Sequence, residues 1–451
     1  MINFISVKKI HFLGVGGVSM SSLARFFFEK GYFVTGSDRE YSETLVSLNE
    51  LGVKTWPGFL PDRIGRPDLC VYSSAIDETD AELNYLRSSG VPAIERFALL
   101  PYVSSFFRSV LAIAGTHGKT TVTSMCAWIM IGAGLPLYAH VGGTSVDFGP
   151  YHYSGDGYFL TEACEYRRSM LALKPDIAVV LNAEVDHPDT YRDKSDVFDA
   201  FDDFLSSSRI RLTNADSEYH ALRQKPFSPV TYGFSPSASF RGVNVKQYQN
   251  GIFGCQILKD GFPYIDIKMK IPSKTNLENA LCACALCSLI GVSKEDIKKG
   301  LESFSGVKRR FEYRGKSYSS SVYIDYAHHP TEISSAIETA RLVSSSPIAV
   351  VFQPHTYSRT ARLKKEFVES LSKADILYMV KEYAARETPS DGCGALSLFK
   401  ECKNAEKYYY ENLSSVASDL LLRARDKENA PSLILILGAG NVHCLADLIT
   451  T

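Results

Sequence analysis

The stretch Val110-Leu-Ala-Ile-Ala-Gly115-Thr116-His117-Gly118-Lys119-Thr120-Thr121 constrains the fold more than any other part of the chain. A short apolar run ends in glycines, and Lys-Thr-Thr then opens a helical pattern. That order describes a strand running into a phosphate-cradling loop. Gly115 and Gly118 let backbone amides approach an anion closely, and the helix from Lys119 adds N–H groups that have no partner within its first turn. Lys119 is placed for β- and γ-phosphates, and the Thr120 hydroxyl for Mg²⁺. The loop departs from G-x-x-x-x-G-K-[ST], because Ile113 stands where that pattern has its first glycine.

With 451 residues, the chain exceeds what one hydrophobic core usually serves, so two to four domains are expected. Lys and Arg number 49 against 50 Asp and Glu, so no basic footprint points to nucleic acid. Ten cysteines without a paired framework point to a reducing compartment. No apolar run suits a signal peptide or a membrane span, and a cytoplasmic protein without membrane insertion is expected. Cys282, Cys284 and Cys287 lie in a continuous run of small apolar residues with no second ligand pair. Buried helix packing is the expectation for them, not metal binding.

Upstream of the loop, residues 8–13 have the pattern of a strand, and Gly14-Val-Gly16-Gly17-Val-Ser-Met20 opens a helix to about Lys30. A second strand at 32–35 leads to Gly36-Ser-Asp38, whose acid lies 21 residues after Gly17. This is a Rossmann-like βαβ unit, with an anion at the glycine turn and Asp38 near a ribose or base. Ser19 breaks the G-x-G-x-x-G spacing, so the turn by itself leaves a dinucleotide and other nucleotides open. Residues 68–76 read as a strand emerging into Ser73 and Ser74, which either line the same crevice or only cap the next turn.

After a boundary at 104–109, two more strands end in polar clusters. Residues 158–161 lead to Glu162-Ala-Cys164-Glu165-Tyr166, and 176–182 lead to Asp186-His187. If both run parallel to the phosphate-loop strand, Glu162 and His187 converge on Thr120 as ligands for divalent ions. From about Arg209 to Ile271, short alternating strands predict an antiparallel appendage. Asn276 and Asn279 share one face of the next helix as candidate adenine contacts, with helix capping by Thr275 or Asn276 as the alternative. A third α/β unit starts near Gly306, and its strand ends carry Asp325-Tyr326-Ala-His328-His329, Gln353 to Arg359 and Gly438 to Asn441. The expected fold is α/β in three domains: Rossmann-like at 1–107, a central P-loop ATPase-like domain with antiparallel strands at 108–311, and Rossmann-like again at 312–451. Catalysis is expected at a domain junction.

Taken in order, these clusters resemble those of the Mur ligases, the ATP-dependent amide-forming enzymes of peptidoglycan precursor assembly. The similarity spans essentially the whole chain, from Gly14–Met20 through Gly115–Thr121, Glu162–Tyr166, Asp186-His187, Asn276–Asn279, Gly306–Phe311, Asp325–Ile333 and Gln353–Arg359 to Gly438–Asn441. Within the family it is strongest to the branch that adds L-alanine to UDP-N-acetylmuramate.

The resemblance implies that ATP and two Mg²⁺ ions are used. The sugar carboxylate attacks the γ-phosphate to form an acyl phosphate, and the amine of alanine then displaces phosphate. It assigns Gly14, Gly16, Gly17, Asp38, Ser73 and Ser74 to the UDP-sugar. Gly115 to Thr121, Asn276, Asn279, Arg310 and Asp325 go to ATP, and Thr120, Glu162 and His187 to metal. Lys119, Arg310 and His328 are its catalytic residues, with His328 preferred to His329. Tyr326, His328 and Arg359 face the amino acid, and the Arg359 guanidinium suits two carboxylate oxygens. A monomer or weak homodimer is expected.

The chain departs from the family pattern where Cys164 and Tyr166 replace an acid and a serine of E-A-D-E-S, where Thr356 replaces a second basic residue, and where Thr275 replaces a histidine. No lysine is assigned as a carbamylated ligand. Three alternatives stand beside this reading: a recycling ligase that attaches a whole tripeptide, a nucleotide-binding partner module without synthesis, and an NAD oxidoreductase. Glu162 and His187 are only 25 residues apart, which favours the alanine-adding branch over the recycling ligase.

Overall fold

The computed structural model describes residues 4–185, 190–223, 228–344, 347–385, 387–388, 394–426 and 428–450. The chain divides into two compact units, the first chiefly 4–185, 193–239 and 282–297, the second chiefly 240–281 and 298–450. Among the described residues, no helix is long and apolar enough to cross a membrane.

The first unit opens with a five-stranded sheet in the order Lys54–Pro57, Phe33–Asp38, Lys9–Leu13, Leu69–Tyr72, Ala93–Glu95, all parallel. Strand order reverses beside Lys9–Leu13, and that reversal opens a crevice at its carboxyl end. The helix Val18–Glu29 buries Met20, Leu23, Ala24, Phe26 and Phe27. Removing a Phe side chain of this kind from water contributes about 1.5–3 kcal/mol.

The same unit holds Val230–Gly233, Ile210–Asn214, Ile177–Val180, Ser109–Ala114, Tyr158–Glu162, Leu137–His140 and His152–Tyr153, in that order across a sheet. Every pair is parallel except Leu137–His140 with His152–Tyr153. The antiparallel stretch expected from Arg209 therefore starts later, since Ile210–Asn214 and Val230–Gly233 extend the parallel sheet. Short strands flanked by turn residues have the same pattern in either direction, and only the short crossover helix Glu218–Leu222 distinguishes them.

In the second unit, Phe240–Gln247, Ile252–Lys259 and Phe262–Pro272 form the antiparallel meander. A six-stranded sheet follows in the order Glu312–Ser317, Ser320–Asp325, Leu433–Leu437, Ile348–Phe352, Ile376–Val380, Glu406–Tyr410. Its first pair is antiparallel and the rest parallel. Ile348, Val350 and Phe352 enter one core, while Ala349 and Val351 enter the core on the other face. Coverage on both faces explains why these strands are unbroken apolar runs.

Candidate active site

The phosphate-loop strand Ser109–Ala114 lies between Ile177–Val180 and Tyr158–Glu162, with Ala114 beside Val180 and Ile113 beside Glu162. Glu162 and the described residues Asn182 to Glu184, which follow these strands, thus emerge at the sheet end where the phosphate loop lies. Gly118, at φ +85°, turns the chain into the helix Lys119–Gly132, a conformation that a side chain would strain.

Asn182 holds the loop from the neighbouring strand end. Its Oδ1 accepts the His117 N–H at 2.8 Å, its Nδ2 donates to the His117 carbonyl at 3.1 Å, and its carbonyl accepts the Thr116 N–H at 3.3 Å. Thr116 Oγ1 accepts the Glu184 N–H at 2.9 Å. Thr121 is buried in the first turn of the helix.

Lys119 points back into the loop. Its Nζ donates to the carbonyls of Gly115 at 2.5 Å and Thr116 at 3.1 Å and pairs with Glu165 at 2.8 Å. Burial opposes the charge, but Glu165, assisted by Glu162, outweighs it and raises the Lys119 pKa. The ammonium persists at neutral pH. The Cys164 thiol is raised by burial, so Cys164 supplies no acid in place of the one it replaces.

Thr120 Oγ1 donates to Glu162 Oε2 at 3.1 Å, and Glu162 Oε1 accepts the Gly142 N–H at 2.5 Å. A Cβ on Gly142 would lie 2.9 Å from both carboxylate oxygens, so only glycine allows this approach. Two of the three expected metal ligands therefore meet. His187 lies outside the described residues.

In the N-terminal crevice, the Gly16 N–H donates to Asp38 Oδ2 at 2.7 Å, and a Cβ on Gly14 would come 3.2 Å from that of Ser73. Gly14, Gly16, Asp38 and Ser73 are thus assembled, with Gly17 exposed as the N-cap of the first helix. Ser73 Oγ accepts the Ala75 N–H at 3.3 Å, so it also caps the following turn, and Ser74 beside it is half-buried.

In the second unit, both Asp325 oxygens serve the backbone. Oδ2 accepts the Phe311 N–H and Oδ1 the Ala327 N–H, each at 2.7 Å. Burial pushes the Asp325 carboxyl up to about 6, against the opposing pull of Arg310. The Arg310 guanidinium lies 5.2 Å from the Tyr326 ring and 3.9 Å from Glu332. Arg309 lies 4.8 Å from the same ring and donates to the carbonyls of Gly438 and Gly440, at 3.1 and 3.0 Å.

His328 Nδ1 is 3.0 Å from the Tyr326 carbonyl and 3.3 Å from Glu332. His329 is the N-cap of the helix Pro330–Val343, with its Nδ1 accepting the Thr331 N–H. The two histidines are thereby distinguished, since a cap fixes the His329 ring in place. Arg359, 8% exposed, has Nη1 3.4 Å from His355 Nδ1. Asn276 donates to the Pro272 carbonyl at 2.6 Å and so ties down the start of the helix Lys274–Leu289, while Asn279 is half-buried one turn on.

Glu165, Asn182 and Arg309 have structural parts that the pattern did not reveal. Glu165 and Arg309 lie in polar clusters and Asn182 ends the expected strand 176–182, but spacing along the chain does not show which side chain meets which. Cys282, Cys284 and Cys287 are all fully buried, as their small-apolar context implied.

A lysine in a glycine loop, acids at adjacent strand ends and three α/β sheets define a phosphate-loop α/β protein. Residues 9–108 match the Mur ligase family catalytic domain, 113–287 the Mur ligase middle domain and 309–440 the Mur ligase glutamate ligase domain. The chain belongs to the Mur ligase family. It is 34% identical over 453 residues to the UDP-N-acetylmuramate--L-alanine ligase of Agathobacter rectalis, covering 98% of this chain and 97% of that protein. The crystal structure of UDP-N-acetylmuramate-alanine ligase from Thermotoga maritima superposes with a TM-score of 0.81 at 26% identity, over 97% of each chain. A murein peptide ligase from Psychrobacter arcticus shares the fold, with a TM-score of 0.73 at 22% identity over 98% of each chain.

Proposed function

We propose that this protein is the ATP-dependent ligase that joins L-alanine to the lactyl carboxylate of UDP-N-acetylmuramate, releasing ADP and phosphate in peptidoglycan precursor synthesis. Full-length similarity to enzymes of that name supports the substrates. The observation that carries the chemistry is the cluster of Lys119, Thr120 and Glu162 at the mouth of the phosphate loop.

Thr120 and Glu162 offer hard oxygen donors that already meet at 3.1 Å, a donor set that fits Mg²⁺. His187 is assigned with them, a role that requires a neutral coordinating nitrogen, and two ions are proposed. Bound Mg²⁺ supplies charge neutralisation on the phosphate oxygens. Lys119 serves the β- and γ-phosphates by exchanging its loop carbonyl contacts for phosphate oxygens, and Glu165 keeps it protonated and aimed. Asn276, Asn279, Arg310 and Asp325 hold the rest of ATP, Asp325 partly by shaping the turn at Phe311.

The crevice of Gly14, Gly16, Gly17, Asp38, Ser73 and Ser74 takes the UDP-sugar. Tyr326 and His328 face the reacting groups, and Arg359 clamps the carboxylate of alanine by paired N–H donation. Attack of the sugar carboxylate on the γ-phosphate forms an acyl phosphate, which the alanine amine opens. With ¹⁸O in the lactyl carboxylate, one label should appear in the released phosphate. Phosphate released without label would refute the acyl phosphate.

A further inference from the structure

One buried histidine of the first unit bridges the helix after the glycine turn Gly14–Gly17 and the strand that ends at Glu162. His140 ends the strand Leu137–His140 and is 3% exposed. Its Nε2 lies 2.7 Å from the hydroxyl of Ser19, in the first turn after the glycine turn Gly14–Gly17. Its Nδ1 lies 3.0 Å from the hydroxyl of Thr161, which is fully buried and donates to the carbonyl of Glu162 at 3.1 Å. With the Thr161 proton so used, its oxygen accepts from the Nδ1–H, and the bare Nε2 accepts from the Ser19 hydroxyl.

A second route leaves the same residue. Two positions past His140, the Gly142 N–H donates to the Glu162 carboxylate. The imidazole is thus joined to the backbone of Glu162 through Thr161, and the strand that carries it leads within two residues to the N–H that holds the Glu162 carboxylate. The surroundings are stiff. Phe26 stacks on Tyr138 with ring centres 4.7 Å apart, and the hydroxyls of Ser22 and Tyr138 meet at 2.8 Å. The helix that starts at the glycine turn is thus fixed along the strand that carries His140. Burial, reinforced by Arg96, pushes the His140 pKa down to about 3, with the Ser19 backbone acting weakly the other way. The ring stays neutral, as one donor and one acceptor require.

We propose that Ser19, His140 and Thr161 are positioning residues forming a relay, through which occupancy of the glycine turn by the sugar nucleotide sets the geometry of Glu162 at the ATP site. An anion drawn onto the first turn of the helix pulls on Ser19, and a rigid buried ring passes that displacement to Thr161 and Glu162. The relay rests on the assignment of the glycine turn to the UDP-sugar. It gives the enzyme a means of binding its two nucleotides cooperatively.

The test is calorimetric titration of full-length protein with a non-hydrolysable ATP analogue and Mg²⁺, with and without saturating UDP-N-acetylmuramate. In the wild type the sugar nucleotide is expected to tighten the analogue about fivefold or more. In Ser19→Ala and His140→Leu that ratio should fall to within about twofold of unity, and in Ser19→Thr, which keeps the hydroxyl, it should persist. Ser19 is half-exposed, so Ser19→Ala tests the relay even if His140→Leu fails to fold. An unchanged ratio in Ser19→Ala overturns the relay, as does a wild type that binds both ligands independently. A wild type that does not bind UDP-N-acetylmuramate refutes the sugar-nucleotide assignment itself, and the relay with it.

Discussion

At the scale of single residues, the proposed chemistry rests on Lys119 and its pairing with Glu165. Lys119→Ala removes the one ammonium held inside the loop, and alanine-dependent phosphate release should fall by about 10²-fold or more, the usual loss when a charge-stabilising donor is removed. Release within a few-fold of wild type would take Lys119 out of the reaction. Asp325 supplies a pH signature. Its carboxyl is raised from 3.8 to about 6, so its contribution to stability is full below about pH 4 and is lost as pH rises through about 6. Carbon-detected NMR of the carboxyl should show a midpoint near pH 6, and an ordinary midpoint near 4 would contradict the burial argument. Much of this scale was legible in the sequence, since Lys119 and Thr120 open the helix after a strand and glycine loop and Glu162 ends a strand. Glu165, the partner of Lys119, was not, because pairing across neighbouring strand ends depends on three-dimensional placement.

Among elements, the strand Leu137–His140 and the loop after it carry a geometric demand. Gly142→Ala places a methyl 2.9 Å from both Glu162 oxygens, which must then leave Thr120 or the Gly142 N–H. Phosphate release should drop about tenfold or more while the melting temperature stays within a few degrees, because the change falls on a loop and not a core. Wild-type activity in Gly142→Ala would mean that Glu162 needs no such approach. The sequence pattern did not reveal this strand, although it did reveal the parallel neighbour Tyr158–Glu162. A four-residue run ending in His140 is too short for period alone to identify. The same weakness of short strands placed the antiparallel stretch too early, at Arg209 and not Phe240.

At the level of the whole molecule, three α/β sheets with polar strand ends were legible because each strand is an apolar run bounded by glycine or polar clusters. Specificity is less legible, since it depends on how much room surrounds the incoming amine. Arg359→Ala should raise the KM for L-alanine about tenfold or more with a smaller change for ATP, the cost of losing a charge-assisted bond to the carboxylate. An unchanged KM would remove Arg359 from the clamp. The central claim is the identity of the amine donor, and competition tests it most directly. Purified protein is given UDP-N-acetylmuramate, ATP, Mg²⁺ and equal L-alanine, glycine, L-serine and L-alanyl-γ-D-glutamyl-meso-diaminopimelate, and the product masses are read. The product should be chiefly the L-alanine adduct, whereas a product carrying only the tripeptide would contradict the account.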